Sequence, residues 1–257
     1  MVSWLRAVGA LLVLTGLAAL APPALASCPG PLDMRTLPPE ARPAPHPWPQ
    51  WAELNRALSR RLSATRLEEV ELVFLGDSLV AGWTPALFQH FYGHRRALNM
   101  GVAGDTTQTL LWRLRQGGWP AALRPRAVVV LVGTNNAGFG WHALPTAQAI
   151  LSVVEEVRAR APGVHVVLVG LLPRGTEPDD TGRTFNQEVN RFLAPCPDGR
   201  TLFGLDAADV LLDGRQRLTS LVSYDQLHLT PYGYAILSTA LESALRAALE
   251  VPAPATR

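Results

Sequence analysis

The chain has 257 residues, near the upper end of what one domain holds. With 48% hydrophobic and 17% charged residues it can bury a large core, which excludes a disordered chain. The formal net charge is only +2, and the arginines stand singly or in short pairs such as Arg60-Arg61 and Arg95-Arg96, so no nucleic-acid partner is expected.

The first 26 residues carry one positive charge, Arg6, then a small and apolar run over 7–21, then Ala24-Leu25-Ala26. That is the order of a secretory signal peptide with a small-x-small cleavage site. The run is shorter than the ~20 apolar residues of a spanning helix, and Pro22-Pro23 ends it, so no stable membrane insertion is expected. Export to a secreted or periplasmic location follows. Leu25-Ala26-Ser27-Cys28 also resembles a lipobox, and a lipid on Cys28 would anchor the protein instead. In an oxidising compartment Cys28 and Cys196 are alternatively available for a disulfide between arm and body.

Residues 27–50 are rich in proline without a hydrophobic period and read as an extended surface arm. The domain is expected over 51–250, with a tail at 251–257. It opens with a helix at 51–62, where Trp51, Leu54, Leu58 and Leu62 recur at helical steps. Strands are expected at 70–75, 97–100, 128–132, 164–172 and 201–205. Helices are expected near 85–92, 107–115, 143–161, 183–193 and 231–249, the last with Pro231 in its first turn. Runs as continuous as VVVLV indicate strands buried on both faces, and the alternation gives a single three-layer α/β domain. In such sheets a site forms at the carboxyl ends of the strands.

Four loops at such ends carry candidate residues. The first is Gly76-Asp77-Ser78-Leu79, where the serine stands at a strand-to-helix turn, a position that equally suits a helix cap. The second is 99–105, whose Gly101 and Gly104 let the backbone approach a ligand or simply make a tight turn. The third is Gly133-Thr134-Asn135-Asn136; its asparagine is a turn former or an amide aimed at a developing oxyanion. The fourth is Asp225-Gln226-Leu227-His228. Here the carboxylate is spaced to accept from Nδ1–H of the imidazole, leaving Nε2 as a base, although a purely local hydrogen bond fits the same spacing. No second His or Cys stands at metal-ligand spacing.

Taken together, VFLGDSLV, ALNMGVAGDTTQTLLWRL, VGTNN, VGLLPRG and DQLHLTPYGY resemble the blocks of the GDSL or SGNH hydrolase family from about Val70 to the last helix. Within it the similarity is to the branch of platelet-activating-factor acetylhydrolase catalytic subunits and their bacterial relatives. Many members have Asp after the third-block Asn; here Asn136 stands instead.

The resemblance implies a flavodoxin-like fold with a central, mostly parallel five-stranded sheet. It implies Ser78 as nucleophile, His228 as base and Asp225 as the acid that fixes the imidazole. The oxyanion donors would be the N–H groups of Ser78 and Gly104 and the amide of Asn135. Leu79, Thr134 and Leu227 would close a small acyl pocket. No cofactor or metal is required. The expected activity is hydrolysis of short, chiefly acetyl, O-acyl esters of a small-molecule or carbohydrate substrate. O-acyl transfer to a carbohydrate acceptor and a lysophospholipase-like lipid esterase are the alternatives, and a silent binding module is the reading from outside enzymes. Relatives also admit a homodimer. Trp83, Trp112, Trp119 and Trp141 are candidates for a sugar-stacking surface, or ordinary packing.

Overall fold

A computed structural model describes residues 27–37 and 42–251; the expected signal peptide, most of the expected tail and part of the arm lie outside the described residues. Five strands form the sheet: β1 (Leu72–Gly76), β2 (Ala97–Gly101), β3 (Ala127–Leu131), β4 (His165–Val169) and β5 (Leu202–Leu205). All pair in parallel in the order β2-β1-β3-β4-β5. The order reverses between β1 and its neighbours, and a crevice opens at their carboxyl ends at such a switch point.

Alternation along each strand explains the two faces. Val73, Leu75, Val128 and Val130 point to one side, where they pack with α1 (Pro49–Ser63), α4 (Thr107–Arg113), α5 (Ala143–Arg160) and α6 (Thr181–Leu193). Leu72, Phe74, Val129 and Leu131 point to the other, against α2 (Ser78–Ala81), α3 (Pro85–Tyr92) and α8 (Pro231–Glu250). A short α7 (Ala208–Leu211) precedes the final loop. Both faces being covered, every residue of β1, β3 and β4 is buried.

Several expected boundaries shift. The run over 164–172 leaves the sheet after Val169. The Gly170 N–H donates to the Leu205 carbonyl at 2.8 Å. The Asn190 side chain then takes the Leu171 N–H at 2.7 Å and donates to its carbonyl at 2.9 Å. An amide thus replaces a ladder partner, while Leu171 and Leu172 stay in the core. The expected helix over 107–115 gives way after Arg113 to a π turn at Leu114–Gly118. The four-residue α2 was not expected.

The Pro-rich arm lies on this body. Cys28 is joined to Cys196, with Cα atoms 4.8 Å apart. The Leu32 N–H donates to Ser152 on α5 at 3.0 Å. Farther along, His46 and Trp48 bring the arm to the crevice, and Pro49 in its first turn starts α1.

Candidate active site

The turn that carries Ser78 is set by Gly76 and Asp77. A Cβ on Gly76 would collide with the Leu131 carbonyl on β3, so only glycine lets β1 close against its neighbour there. The Asp77 carboxylate, not the Ser78 hydroxyl, caps α2 by accepting from the Leu79 N–H at 2.9 Å. Ser78 is thereby released from capping, and its Oγ lies 2.9 Å from His228 Nε2. Asp77 is fully buried, and burial pushes its carboxyl up to about 7.

His228 is held by a small closed loop. Ser223 and Leu229 form an antiparallel bridge, and the His228 carbonyl accepts from Ser223 Oγ at 2.8 Å. Gln226 at the tip has φ +66°. Asp225 Oδ1 accepts from the N–H groups of Leu227 at 3.1 Å and His228 at 2.7 Å, and Oδ2 lies 2.7 Å from His228 Nδ1. Burial alone would raise this carboxyl; the bonds from the His228 ring and backbone and from Leu227 outweigh it and hold Asp225 below the ordinary range. The exposed Tyr224 ring runs parallel to the imidazole at 5.9 Å between centroids.

Gly104 and Asn135 face Ser78 across the crevice, lining one cavity of about 510 Å³ with it and His228. Gly104 has φ +85°, in the left-handed region that favours glycine. The Asn135 amide donates to the Asp105 carbonyl at 2.9 Å. Asn136, the departure from the common family pattern, pins the same loop to the start of α4. Its Oδ1 accepts from the Thr107 N–H at 3.1 Å and its Nδ2 donates to Thr107 Oγ1 at 2.7 Å.

Beneath Gly104 lies a buried ion pair. Arg113 Nε contacts Asp105 Oδ2 at 2.7 Å, and Arg113 also reaches the Met100 carbonyl at 2.8 Å. Trp51 Nε1 and Thr109 Oγ1 donate to Asp105 Oδ1 at 2.8 and 2.9 Å. Burial pushes the Asp105 carboxyl up, and Arg113, Trp51 and Thr109 work against that shift. The network ties α1 and the end of β2 to the loop that carries Gly104. Among the described residues no group of three His, Cys, Asp or Glu side chains could hold a metal ion.

Two of the three expected acyl-pocket residues are elsewhere. Leu79 is 1% exposed in the core beneath α8, its carbonyl accepting from Tyr234 Oη at 3.0 Å. Thr134 is also 1% exposed, its hydroxyl engaged by the Asn186 amide at 3.1 Å. Both side chains are drawn inward by their packing, and only Leu227 lines the cavity. The opposite wall is made by Trp48, Trp51 and Leu54. In the sequence Trp48 belongs to the expected arm, and Trp51 and Leu54 to the expected core helix. The available signal was Trp-Pro-Gln-Trp at the helix start, with Leu54 the one member of the helical stripe that is not buried. Of the tryptophans expected as stacking candidates, Trp83 and Trp119 are core residues bonded to Ser238 and the Leu123 carbonyl. Trp112 packs against the core, and neither it nor Trp141 lines the cavity.

Residues 74–236 match the model of the GDSL-like lipase/acylhydrolase family. Platelet-activating factor acetylhydrolase IB subunit alpha1 from Homo sapiens is 36% identical over 218 residues, covering 80% of this chain and 90% of the relative. A GDSL-like lipase from Bacteroides thetaiotaomicron superposes with a TM-score of 0.64 at 22% identity, covering 76% of this chain and 98% of that one, a likeness of fold. An acetyl-xylooligosaccharide esterase from Geobacillus stearmophilus has the same fold at a TM-score of 0.54 and 16% identity, over 73% of this chain and 97% of that one. The chain belongs to the GDSL-like lipase/acylhydrolase family and is a carboxylic ester hydrolase.

Proposed function

We propose that this protein is an exported serine esterase that releases short acyl groups, acetyl above all, through an acyl-enzyme on Ser78. The observation that carries this reading is the continuous chain of contacts from Ser78 Oγ to His228 Nε2 at 2.9 Å and from Nδ1 to Asp225 at 2.7 Å.

Free serine is a weak nucleophile at neutral pH. As Ser78 Oγ bonds to the ester carbonyl carbon, its proton passes to His228 Nε2, and Asp225 stabilises the imidazolium. The carbonyl oxygen becomes an oxyanion facing the N–H groups of Ser78 and Gly104 and the Asn135 amide. When the bond to the alcohol breaks, His228 returns that proton to the leaving oxygen. Water then attacks the acyl-enzyme, His228 taking its proton and giving it to Ser78 as the acid departs.

The acetyl preference draws on the acetylhydrolase name of the 36% identical relative and on Leu227 beside His228 in the cavity. Export draws on the composition of residues 1–26 and on the Cys28–Cys196 bridge, a pairing typical of oxidising compartments. Treatment with a fluorophosphonate followed by peptide mapping tests the nucleophile: the adduct is expected on Ser78 and absent in His228→Ala. Labelling elsewhere, or none, contradicts the assignment.

A further inference from the structure

Resting on the reading of Ser78 as nucleophile, we propose that Trp48 is a specificity-determining residue. Its indole receives the uncharged, apolar part of the ester beside Gly104.

Trp48 is the arm's last residue before α1, and it is 57% exposed. It is nevertheless fixed. Its backbone N–H donates to His46 Nδ1 at 3.0 Å, and its ring packs on the His46 ring at 4.6 Å between centroids. The six-membered edge of the indole lies 3.3 and 3.5 Å from where a Cβ on Gly104 would stand, so the ring rests on the proposed oxyanion glycine itself. Three residues on, Trp51 is 2% exposed and bonded to Asp105, the neighbour of Gly104. Both indoles are thus coupled to the same loop.

A large aromatic surface held rigid and open at a cleft buries apolar area on binding with little further loss of side-chain freedom. The rest of the wall has the same character. Trp51 and Leu54 stand beside Trp48, Leu227 stands across from it, and Gln50 is the polar side chain that α1 adds. Among the described residues no Arg, Lys, Asp or Glu lines this cavity, so a charged substituent would lose its hydration without gaining an ion pair from them.

His46 anchors the indole from within the protein. Because its Nδ1 accepts from Trp48, its proton sits on Nε2. His46 is 6% exposed, and among the described residues Nε2 has no hydrogen-bond partner. That nitrogen lies 3.9 Å from the Gly104 Cβ position and is buried, in a ring that packs against Trp48, Trp51 and Phe139. His46 is thus the positioning residue for Trp48.

The exposed position lets Trp48→Ala and Trp48→Phe fold normally. Two kinetic series are needed, p-nitrophenyl esters from acetate to octanoate and acetates of alcohols of rising size. Calorimetric binding of 2-octanone, a neutral ketone that needs no turnover, accompanies them. Trp48→Ala should raise KM for the larger members of one series, and the 2-octanone Kd, by about tenfold. Trp48→Phe should recover most of that loss. The series that responds identifies the part of the ester on the indole. An unchanged KM profile and Kd in Trp48→Ala overturns the proposal even where turnover depends on Ser78. Failure of the wild-type protein to bind 2-octanone also overturns it. Weakened binding in a protein without Ser78-dependent turnover would keep the Trp48 wall and remove the catalytic reading.

Discussion

The side-chain amide of Asn135 donates to the backbone carbonyl of Asp105 at 2.9 Å, tying the loop after β3 to the residue that follows Gly104. An asparagine amide has two N–H donors. One is consumed in this tie and sets the plane of the amide, which leaves the other to meet an oxyanion.

Asn135→Ala should therefore lower kcat by about 10²–10³, the usual loss for one oxyanion donor. KM should change little and the fold should persist. Steady-state kinetics beside circular dichroism checks this, and near-wild-type kcat would remove Asn135 from the oxyanion site.

Asp225→Asn probes the imidazole. An Asn Oδ1 can still accept from the Leu227 and His228 N–H groups, so the loop survives. Its NH₂, however, faces Nδ1 and drives the ring proton to Nε2, turning the base into a donor. A loss of about 10²–10⁴ in kcat is expected with unchanged thermal stability. Full activity would mean that Asp225 only shapes the loop.

Leu79 and Leu227 should part company. Leu79→Ala empties a core position and is expected to cost about 2–5 kcal/mol with no change in chain-length preference. Leu227→Ala should shift preference toward longer esters at little cost in stability. Denaturant melts and an ester series on both variants test the pair.

The Cys28–Cys196 bridge closes a span of 168 residues between arm and body. Replacing both cysteines with serine should cost about 2–5 kcal/mol and lower Tm by about 5–15 °C. Neither cysteine lines the cavity beside Ser78 and His228, so kcat should hold. An unaltered Tm would show that the bridge adds nothing to stability.

Asp77 sets a pH dependence of opposite sign to the surface carboxylates. Its folded carboxyl keeps its proton to about 7, whereas an unfolded chain releases it near the ordinary value of about 3.9. The stability it contributes is full below that ordinary value and is lost as pH rises toward 7. Glu242, held down at about 2 by Arg95, runs the other way and loses its contribution on acidification. Asp77→Asn keeps an oxygen for the Leu79 N–H, so its Tm advantage over wild type should grow from pH 4 to 7 and then level. A difference independent of pH would mean that Asp77 is ionised throughout.

The sheet was legible because β1, β3 and β4 are covered on both faces and read as unbroken apolar runs. The site was legible because its residues sit in short loops directly after strands, where spacing along the chain and proximity in space coincide. The exceptions have physical causes. Hydrophobicity does not separate Leu171 in the sheet from Leu171 bonded to Asn190. Leu79 lies next to Ser78 in sequence, yet the first turn of α2 sends its side chain into the core. Trp48 and Leu54 reach the cleft only because Trp51 docks α1 on Asp105, a contact across 54 residues that no local pattern announces.

The central claim is that Ser78, activated through His228, cleaves short-chain esters. Hydrolysis of p-nitrophenyl esters from acetyl to lauroyl by residues 27–257, beside Ser78→Ala, tests it most directly. The account predicts rapid turnover of acetate that falls with chain length and is lost in Ser78→Ala. Turnover that survives in Ser78→Ala, or its absence on every ester, would contradict it.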